Sequence, residues 1–345
     1  MKKYLVMEDG TVLSGQGYGS YKEAYGELVF TTSMTGYLET LTDPSYVGQM
    51  LVFASPTIAN YALEMGKMES NGVKVSALIT KDAHIELKKG GYGREFDEFL
   101  KEQGIPGIDG IDTRMLVRKI RANGVLRSYV VNDPSHSLDF PDPMNDDLVS
   151  KAVPHHDPVF VKGEEGGTVL FIDLGSKNTL KELMLQNFSL IVVDKQTNLD
   201  EIEGYDAIFV SNGPGDPSHP SLSNVIKFLS HNIGVKPLFG ICFGLQAISL
   251  AYGAKTYKMK FGHRGSNHAV TDGTHSYVTT HNHGYAVDGS TVKDFKVIGW
   301  DANDGTVEII EGDDMFAVQF HPEASPGPHD TRWFFGEMKR RIGYA

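Results

Sequence analysis

The chain reads as an α/β protein in two parts. A smaller mixed α/β domain occupies residues 1–150, and an open, mainly parallel sheet with flanking helices occupies residues 167–345. Three observations predict this. After Gly167, apolar strand-type runs alternate with segments of helical period, as βαβ connections do. Before residue 135 the apolar runs are short and hairpin-like. Between the two, residues 132–167 carry turn and linker chemistry: Asp133-Pro134, Pro141-Asp142-Pro143, Val153-Pro154-His155-His156-Asp157-Pro158 and Gly163-Glu164-Glu165-Gly166-Gly167. The length of 345 residues agrees, because it exceeds what one core usually serves.

In the first part, residues 4–7, 11–13 and 28–30 read as strands. Glu8-Asp9-Gly10 reads as the turn of a hairpin, since Asp-Gly supports positive φ. Gly15, Gly17 and Gly19 alternate without the G-x-G-x-x-G form and without a following helix, so they read as strand or bulge glycines. Residues 31–37 and 42–46 are rich in hydroxyl and turn residues, and their local chemistry fits a surface loop as well as anything more specific. Phe96, Phe99 and Leu100 mark one helix. Met115, Leu116, Lys119 and Ile120 mark another, capped near Asp112-Thr113 and stopped near Gly124.

In the second part, residues 169–172, 190–193 and 207–210 are strand-type runs, with helical segments over 180–185 and 222–229. Residues 237–241 form another buried-strand run, and Leu245, Ile248, Ser249 and Tyr252 then repeat at helical spacing until Gly253. Shorter strands follow at 269–270, 277–279, 297–300, 307–310 and 317–320, with a closing helix over 332–342.

Cys242, the only cysteine, therefore stands at a strand-to-helix turn. A free cysteine is ordinarily a packing residue. Here Gly240-Ile241-Cys242-Phe243-Gly244 has the form of a nucleophile elbow, with glycines where a Cβ would obstruct a sharp turn. The first turn of a helix also favours the nucleophilic thiolate. A thiolate needs a base, and the base needs an orienting group. His321 and Glu323 follow a strand; in an extended segment i and i+2 project to one side, so both would address one site. The N–H of Phe243 and a glycine N–H of Gly213-Pro214-Gly215, at the end of another strand, are the candidate oxyanion donors. His281 and His283 would face one way on a strand, but two histidines lack the third and fourth ligands of a zinc site, so no metal is assigned. His155-His156 has no spaced partners and reads as solvent-exposed. No H-E-x-x-H, C-x-x-C or G-x-x-x-x-G-K-[ST] occurs.

Composition narrows the class further. Lys plus Arg number 32 against 44 Asp plus Glu, a net charge of −12, which argues against a nucleic-acid backbone or an anionic membrane as partner. A single cysteine suits a reducing compartment, and no apolar stretch approaches the roughly 20 residues needed to span a bilayer. Met1-Lys2-Lys3-Tyr4-Leu5-Val6-Met7 meets Glu8 and Asp9 before an apolar signal can accumulate, so the cytoplasm is the expected location.

With these residues in place, the C-terminal part resembles the class I, triad-type glutamine amidotransferases. The match rests on residues 240–246 (Gly-Ile-Cys-Phe-Gly-Leu-Gln), 211–217 (Ser-Asn-Gly-Pro-Gly-Asp-Pro) and His321-Pro322-Glu323. That resemblance implies a Cys242–His321–Glu323 glutaminase working through a γ-glutamyl thioester. Over nearly the whole chain, the sequence resembles the small-subunit family of glutamine-hydrolysing carbamoyl-phosphate synthases, through residues 32–37, 41–46, 258–265, 282–287 and 324–330. The resemblance implies L-glutamine as substrate and Ser45, Gly213, Gly215, Phe243, Gln246, Asn282, Gly284 and Tyr285 as its contacts. It implies no cofactor on this chain and, as partner, a separate large synthetase subunit carrying ATP, bicarbonate and Mg. Leu245 and His281 depart from the family pattern, which often has histidine and glutamine there. The glutaminase of another synthase (anthranilate, GMP or CTP), a γ-glutamyl hydrolase and an inactive docking module are the competing readings.

Overall fold

The computed structural model describes residues 2–84, 92–135, 137–164 and 166–344. Met1 and Glu165, which belong to the sequence motifs above, lie outside the described residues. The chain divides into two compact units, Met1–Asp146 and Asp147–Ala345.

The first unit is a closed barrel. Its elements are β1 (Lys2–Met7), β2 (Val12–Gly19), β3 (Ala24–Thr31), α1 (Tyr37–Thr42), β4 (Gln49–Phe53), β5 (Ala77–Ile79), α2 (Gly93–Gln103), β6 (Pro106–Asp109), α3 (Thr113–Asn123) and β7 (Leu126–Val131). The strand order is β1-β2-β6-β5-β4-β3-β7. The β1–β2 hairpin turns at Gly10, with φ of 83°, and pairs Leu5 with Leu13. Gly15 is a close-approach glycine, since a Cβ there would lie 2.2 Å from the Asp109 carbonyl oxygen on β6. Phe96, Phe99 and Leu100 of α2 bury against barrel residues such as Val29, Leu51 and Leu78. Asp112 caps α3 by accepting from the Met115 N–H at 2.9 Å, and Gly124 ends it.

Most of residues 31–46 is buried rather than surface loop, with Met34 and Thr35 the exposed residues of the loop before α1. Thr31, Ser33, Thr42, Asp43 and Ser45 are buried, and residues 37–46 fold into α1 and a 3-10 turn, Pro44–Tyr46. Their hydroxyls are spent internally: Thr40 and Thr42 donate to the Gly36 and Leu38 carbonyls, both at 2.8 Å. That use is invisible to composition, because a hydroxyl bonded to its own helix looks the same in sequence as one facing water.

The second unit carries α4 (Leu148–Ala152), β8 (Val159–Val161), β9 (Thr168–Asp173), α5 (Asn178–Leu185), β10 (Ser189–Asp194), β11 (Ala207–Val210), α6 (Ser223–Asn232), β12 (Leu238–Ile241), α7 (Phe243–Ala251), β13 (Thr256–Thr271), β14 (Ser276–Val287), β15 (Lys296–Asp301), β16 (Val307–Glu311), β17 (Met315–Val318) and α8 (Trp333–Ile342). They build a ten-stranded sheet in the order β14-β13-β15-β16-β17-β12-β11-β9-β10-β8. Its centre, β17-β12-β11-β9-β10, is parallel, with antiparallel strands added at both edges. Residues 147–164, read from sequence as linker, fold with this unit: Val149 enters its core and β8 forms its edge. The strand β8 is short and largely exposed, so it shows no burial pattern to betray it.

Side-chain alternation sorts the core into two layers. Leu170, Ile172, Ile208, Val210 and Leu238 face α6 and α7. Val169, Phe171, Phe209, Phe239 and Ile241 face α5 and α8 through Leu180, Met184, Phe334 and Met338. The hairpin β13–β14 is much longer than the short strands read from sequence. Its register breaks between Lys258 and His263 and again between Gly265 and His268, which blurs the two-residue period.

Candidate active site

The elbow forms as the sequence suggests. Cys242 joins β12 to α7 at φ 55° and ψ −104°, a strained conformation for a residue with a Cβ, and it caps α7. The strain is held from both sides. The Cys242 N–H donates to the Val318 carbonyl at 2.8 Å. A Cβ on Gly244 would lie 2.0 Å from the Val210 carbonyl oxygen, and one on Gly240 would lie 2.6 Å from the Gly244 carbonyl carbon. Only glycine lets the turn pack this closely against β11.

His321 and Glu323 lie just beyond β17, the parallel neighbour of β12. The segment is a turn rather than an extended strand, closed by the Ala324 N–H donating to the His321 carbonyl at 3.0 Å. The two side chains nevertheless meet: His321 Nδ1 donates to Glu323 Oε1 at 2.6 Å, with the pair 1% and 0% exposed. The remaining ring nitrogen, Nε2, is left for Cys242. It makes no hydrogen bond of ordinary geometry, although the cysteine acts on it electrostatically. The Cys242 thiol meanwhile donates to the Asn282 carbonyl, with Sγ at 3.7 Å.

A fourth group completes the arrangement, and sequence reasoning missed it. Lys177, at the start of α5 and buried, places Nζ 2.9 Å from Glu323 Oε1 and also donates to the Ala324 and Ser325 carbonyls. Burial by itself raises the Glu323 carboxyl, but Lys177 and His321 outweigh it and hold the group at about 2. Burial likewise opposes a charged His321, and the Glu323 carboxylate together with Cys242 overcomes it, raising the imidazole to about 10. No sequence motif flagged Lys177, because a lysine after a strand is ordinarily a solvated charge.

The loop after β11 is anchored by its own side chains. Ser211 Oγ accepts from the Leu174 N–H and Asn212 Nδ2 donates to the Gly175 carbonyl, both at 2.9 Å. Gly213 packs so tightly that a Cβ would meet the Leu174 carbonyl oxygen at 2.5 Å, and Gly215 takes φ of 90°. The loops after β9, β11, β12 and β17 thus lie at the C-terminal ends of parallel strands, where open α/β sheets hold their ligands.

The remaining candidates fall in different places. Phe243 is the first residue of α7. Asn282, Gly284 and Tyr285 are on β14, whose Asn282 carbonyl faces the thiol. Gln246 is buried, and its amide nitrogen donates to the Tyr285 carbonyl at 2.6 Å and to Gln319 Oε1 at 3.0 Å. The two amide hydrogens thereby tie α7 to β14 and to the residue just after β17, which leaves Oε1 for a ligand. Leu245 packs into the apolar layer under α7, away from the polar site. Ser45 belongs to the first unit, on the 3-10 turn, with its N–H donating to Asp43 Oδ1 at 2.9 Å.

A strained cysteine at an elbow, a buried imidazole–carboxylate pair and an ordered glycine loop define a triad-type amidotransferase domain. Residues 170–340 match the family model described as "Glutamine amidotransferase class-I". Residues 5–130 match a second, "Carbamoyl-phosphate synthase small chain, CPSase domain". The carbamoyl phosphate synthase small chain of Thermoplasma acidophilum is 66% identical over 341 residues, covering 99% of this chain and 98% of that one. Its counterpart from Methanocaldococcus jannaschii is 42% identical over 357 residues, covering 98% of each. The chain belongs to the carbamoyl phosphate synthase small-chain family. Among solved structures, a glutamine amidotransferase from Thermotoga maritima aligns with a TM-score of 0.41 at 18% identity, over 51% of this chain and 84% of that one.

Proposed function

We propose that this chain is the glutaminase subunit of a carbamoyl phosphate synthase, hydrolysing L-glutamine to glutamate and ammonia. The observation that carries the reading is the buried 2.6 Å His321–Glu323 pair beside a cysteine held at an elbow. Cys242 Sγ attacks the side-chain amide carbon of glutamine as the thiolate, its proton held on His321 Nε2, and the developing oxyanion is received by the Phe243 N–H and a glycine N–H of residues 213–215. His321 gives its proton to the leaving nitrogen, releasing ammonia and leaving a γ-glutamyl thioester on Cys242. Water then adds to the thioester with His321 as base; glutamate departs and the thiol is restored. Glu323 fixes the imidazole tautomer through Nδ1, and Lys177 keeps Glu323 ionised.

Gly213, Gly215, Phe243, Gln246, Asn282, Gly284 and Tyr285 hold the substrate. Ammonia passes to a large subunit that supplies ATP, Mg and bicarbonate chemistry. Among the described residues no helix is long and apolar enough to cross a membrane.

The test is ammonia release from glutamine by the purified chain, alone and with its large subunit, in wild type and Cys242→Ala. Release that rises with the partner and vanishes in the variant supports the reading. A silent wild type with the partner bound would replace it with a docking module, and undiminished release by the variant would remove Cys242 as nucleophile.

A further inference from the structure

From sequence, His281 and His283 lack further ligands. The fold supplies them. In β13–β14, His263 pairs across from His283 and Gly265 from His281, and Glu308 of β16 comes up beside them. One ligand atom from each of His263, His281, His283 and Glu308 lies within 4.8 Å of all the others, and all four residues are buried. Among the described residues, this is a His3Glu set enclosed by protein. We propose that it is a structural site for a divalent transition ion of the zinc class.

The donor and acceptor pattern carries the argument. His283 Nδ1 lies 2.9 Å from the Tyr285 carbonyl, which only accepts, so the hydrogen is on Nδ1 and Nε2 is a bare lone pair. Thr279 Oγ1 gives its single hydrogen to the His268 carbonyl at 2.9 Å. The His281 Nε2 beside it, at 2.8 Å, must therefore carry its own hydrogen, and His281 Nδ1 is bare. These two lone pairs face each other at 3.1 Å. His263 Nε2 points to the Asp304 carboxylate at 2.9 Å, which leaves His263 Nδ1 bare and without a hydrogen-bond partner. Both oxygens of Glu308, 0% exposed, also lack one. Its Oε1 lies 3.7 Å from His281 Nδ1 and 4.0 Å from His263 Nδ1.

Three imidazoles are thus each anchored from outside so that their free lone pairs gather in one buried space beside an unpartnered carboxylate. This is the outer-shell arrangement of metal-bound histidines, including the carboxylate–histidine pairing at Asp304. Lone pairs facing each other repel in a buried space, and one cation resolves all four at once. Tetrahedral coordination at about 2.0–2.1 Å sets neighbouring ligand atoms about 3.3 Å apart; the His281–His283 pair stands at 3.1 Å, Glu308 at 3.7 and 4.0 Å from His281 and His263, and every pair of the set within 4.8 Å. Burial lowers the pKa of His263, His281 and His283, the direction that favours the neutral ligand form. Asp301 Oδ2 stands at the flank, 3.9 Å from His263 Nδ1 and 3.7 Å from His268 Nδ1, where it adds compensating negative charge. Four protein ligands leave no open position, so the ion is structural. It joins β13, β14 and β16, and β14 is the strand whose Asn282 carbonyl faces Cys242.

The rival is a single proton on Glu308, which burial favours first and the Asp301 and Cys242 charges favour next. Metal analysis of the full chain separates the two. Because a thiol also binds zinc, Cys242→Ala is the background for every measurement, and its glutaminase activity plays no part. The expected result is about one zinc per chain after reconstitution and gel filtration. Cobalt(II) substitution should give the strong visible bands of four-coordinate geometry, and chelation should lower Tm. Glu308→Gln with His281→Gln should lose the metal, with affinity falling by more than the 10–100-fold typical of losing an outer-shell partner. His155→Ala with His156→Ala should keep it. A reconstituted chain without zinc, with Tm indifferent to zinc and chelator, would overturn the site in favour of the proton. Stoichiometric zinc in the Glu308→Gln, His281→Gln chain would overturn it in favour of surface binding. If that double variant fails to fold, the cobalt spectrum of the parent chain decides: six-coordinate or absent bands overturn the site.

Discussion

Lys177 is what allows Glu323 to stay ionised with no exposure, and Glu323 is what keeps His321 charged. Removing one partner of a buried ion pair leaves an uncompensated charge and costs about 3–5 kcal/mol. Lys177→Met should sit near the lower end, about 3 kcal/mol by denaturant unfolding, because His321 still pairs with Glu323. A cost indistinguishable from zero would mean the lysine carries no charge in the native state. The pair also sets a pH signature. His321 is raised to about 10, so its contribution to stability is complete below its unfolded value near 6.5 and is lost as pH climbs through about 10. Glu323 is lowered to about 2, so its contribution is present above its unfolded value near 4.3 and is lost as pH falls through about 2. The Tm difference between wild type and Glu323→Gln should therefore peak between about pH 4.5 and 6.5 and shrink on both sides. A difference that grows steadily towards pH 10 contradicts this assignment.

At the scale of elements, the site depends on how closely α7 packs against β11. Gly244→Ala forces a Cβ to within 2.0 Å of the Val210 carbonyl oxygen unless the turn moves. Overpacking of this kind costs about 1–3 kcal/mol. A displacement of about 1 Å at the nucleophile costs on the order of 100-fold in rate. Ammonia release should therefore suffer far more than folding does, and kcat/KM for glutamine alongside unfolding free energy checks the split. The sheet behind the elbow is held by its aromatic layer, in which Phe209 stacks on Phe171 with centroids 5.2 Å apart. Phe209→Ala should cost about 3–5 kcal/mol by denaturant unfolding; a loss under about 1 kcal/mol would show that the layer collapses to fill the space.

Across the whole molecule, the barrel unit and the sheet unit each bury their own core. Two cores in one chain make a single cooperative transition the exception. Scanning calorimetry should give a calorimetric enthalpy larger than the van't Hoff value, or two resolved transitions. Equal enthalpies in one transition would mean that the units unfold as one. The division also limits what local patterns reveal. Residues 31–46 contain motifs tied to the family, but their burial came from the closure of a seven-stranded barrel, which no window of sequence displays.

Local order was decided by the sequence. Asp9-Gly10 fixed the first hairpin, Asp112 and Gly124 bounded α3, the short apolar runs became β9 to β12, and Gly240 and Gly244 announced the elbow at Cys242. Cys242, His321 and Glu323 were also legible, because strand ends and glycine turns leave a mark in the spacing of residues. Tertiary structure alone decided which distant groups share a buried space. It set Lys177 on Glu323, used the amide hydrogens of Gln246 in tying α7 to Tyr285 of β14 and to Gln319 beyond β17, and placed His263 and Glu308 around His281 and His283. The reason is physical: periodicity encodes which face of an element is buried, whereas the partners on the far side of that burial come from strand order and register, which join residues up to about 150 positions apart in this chain.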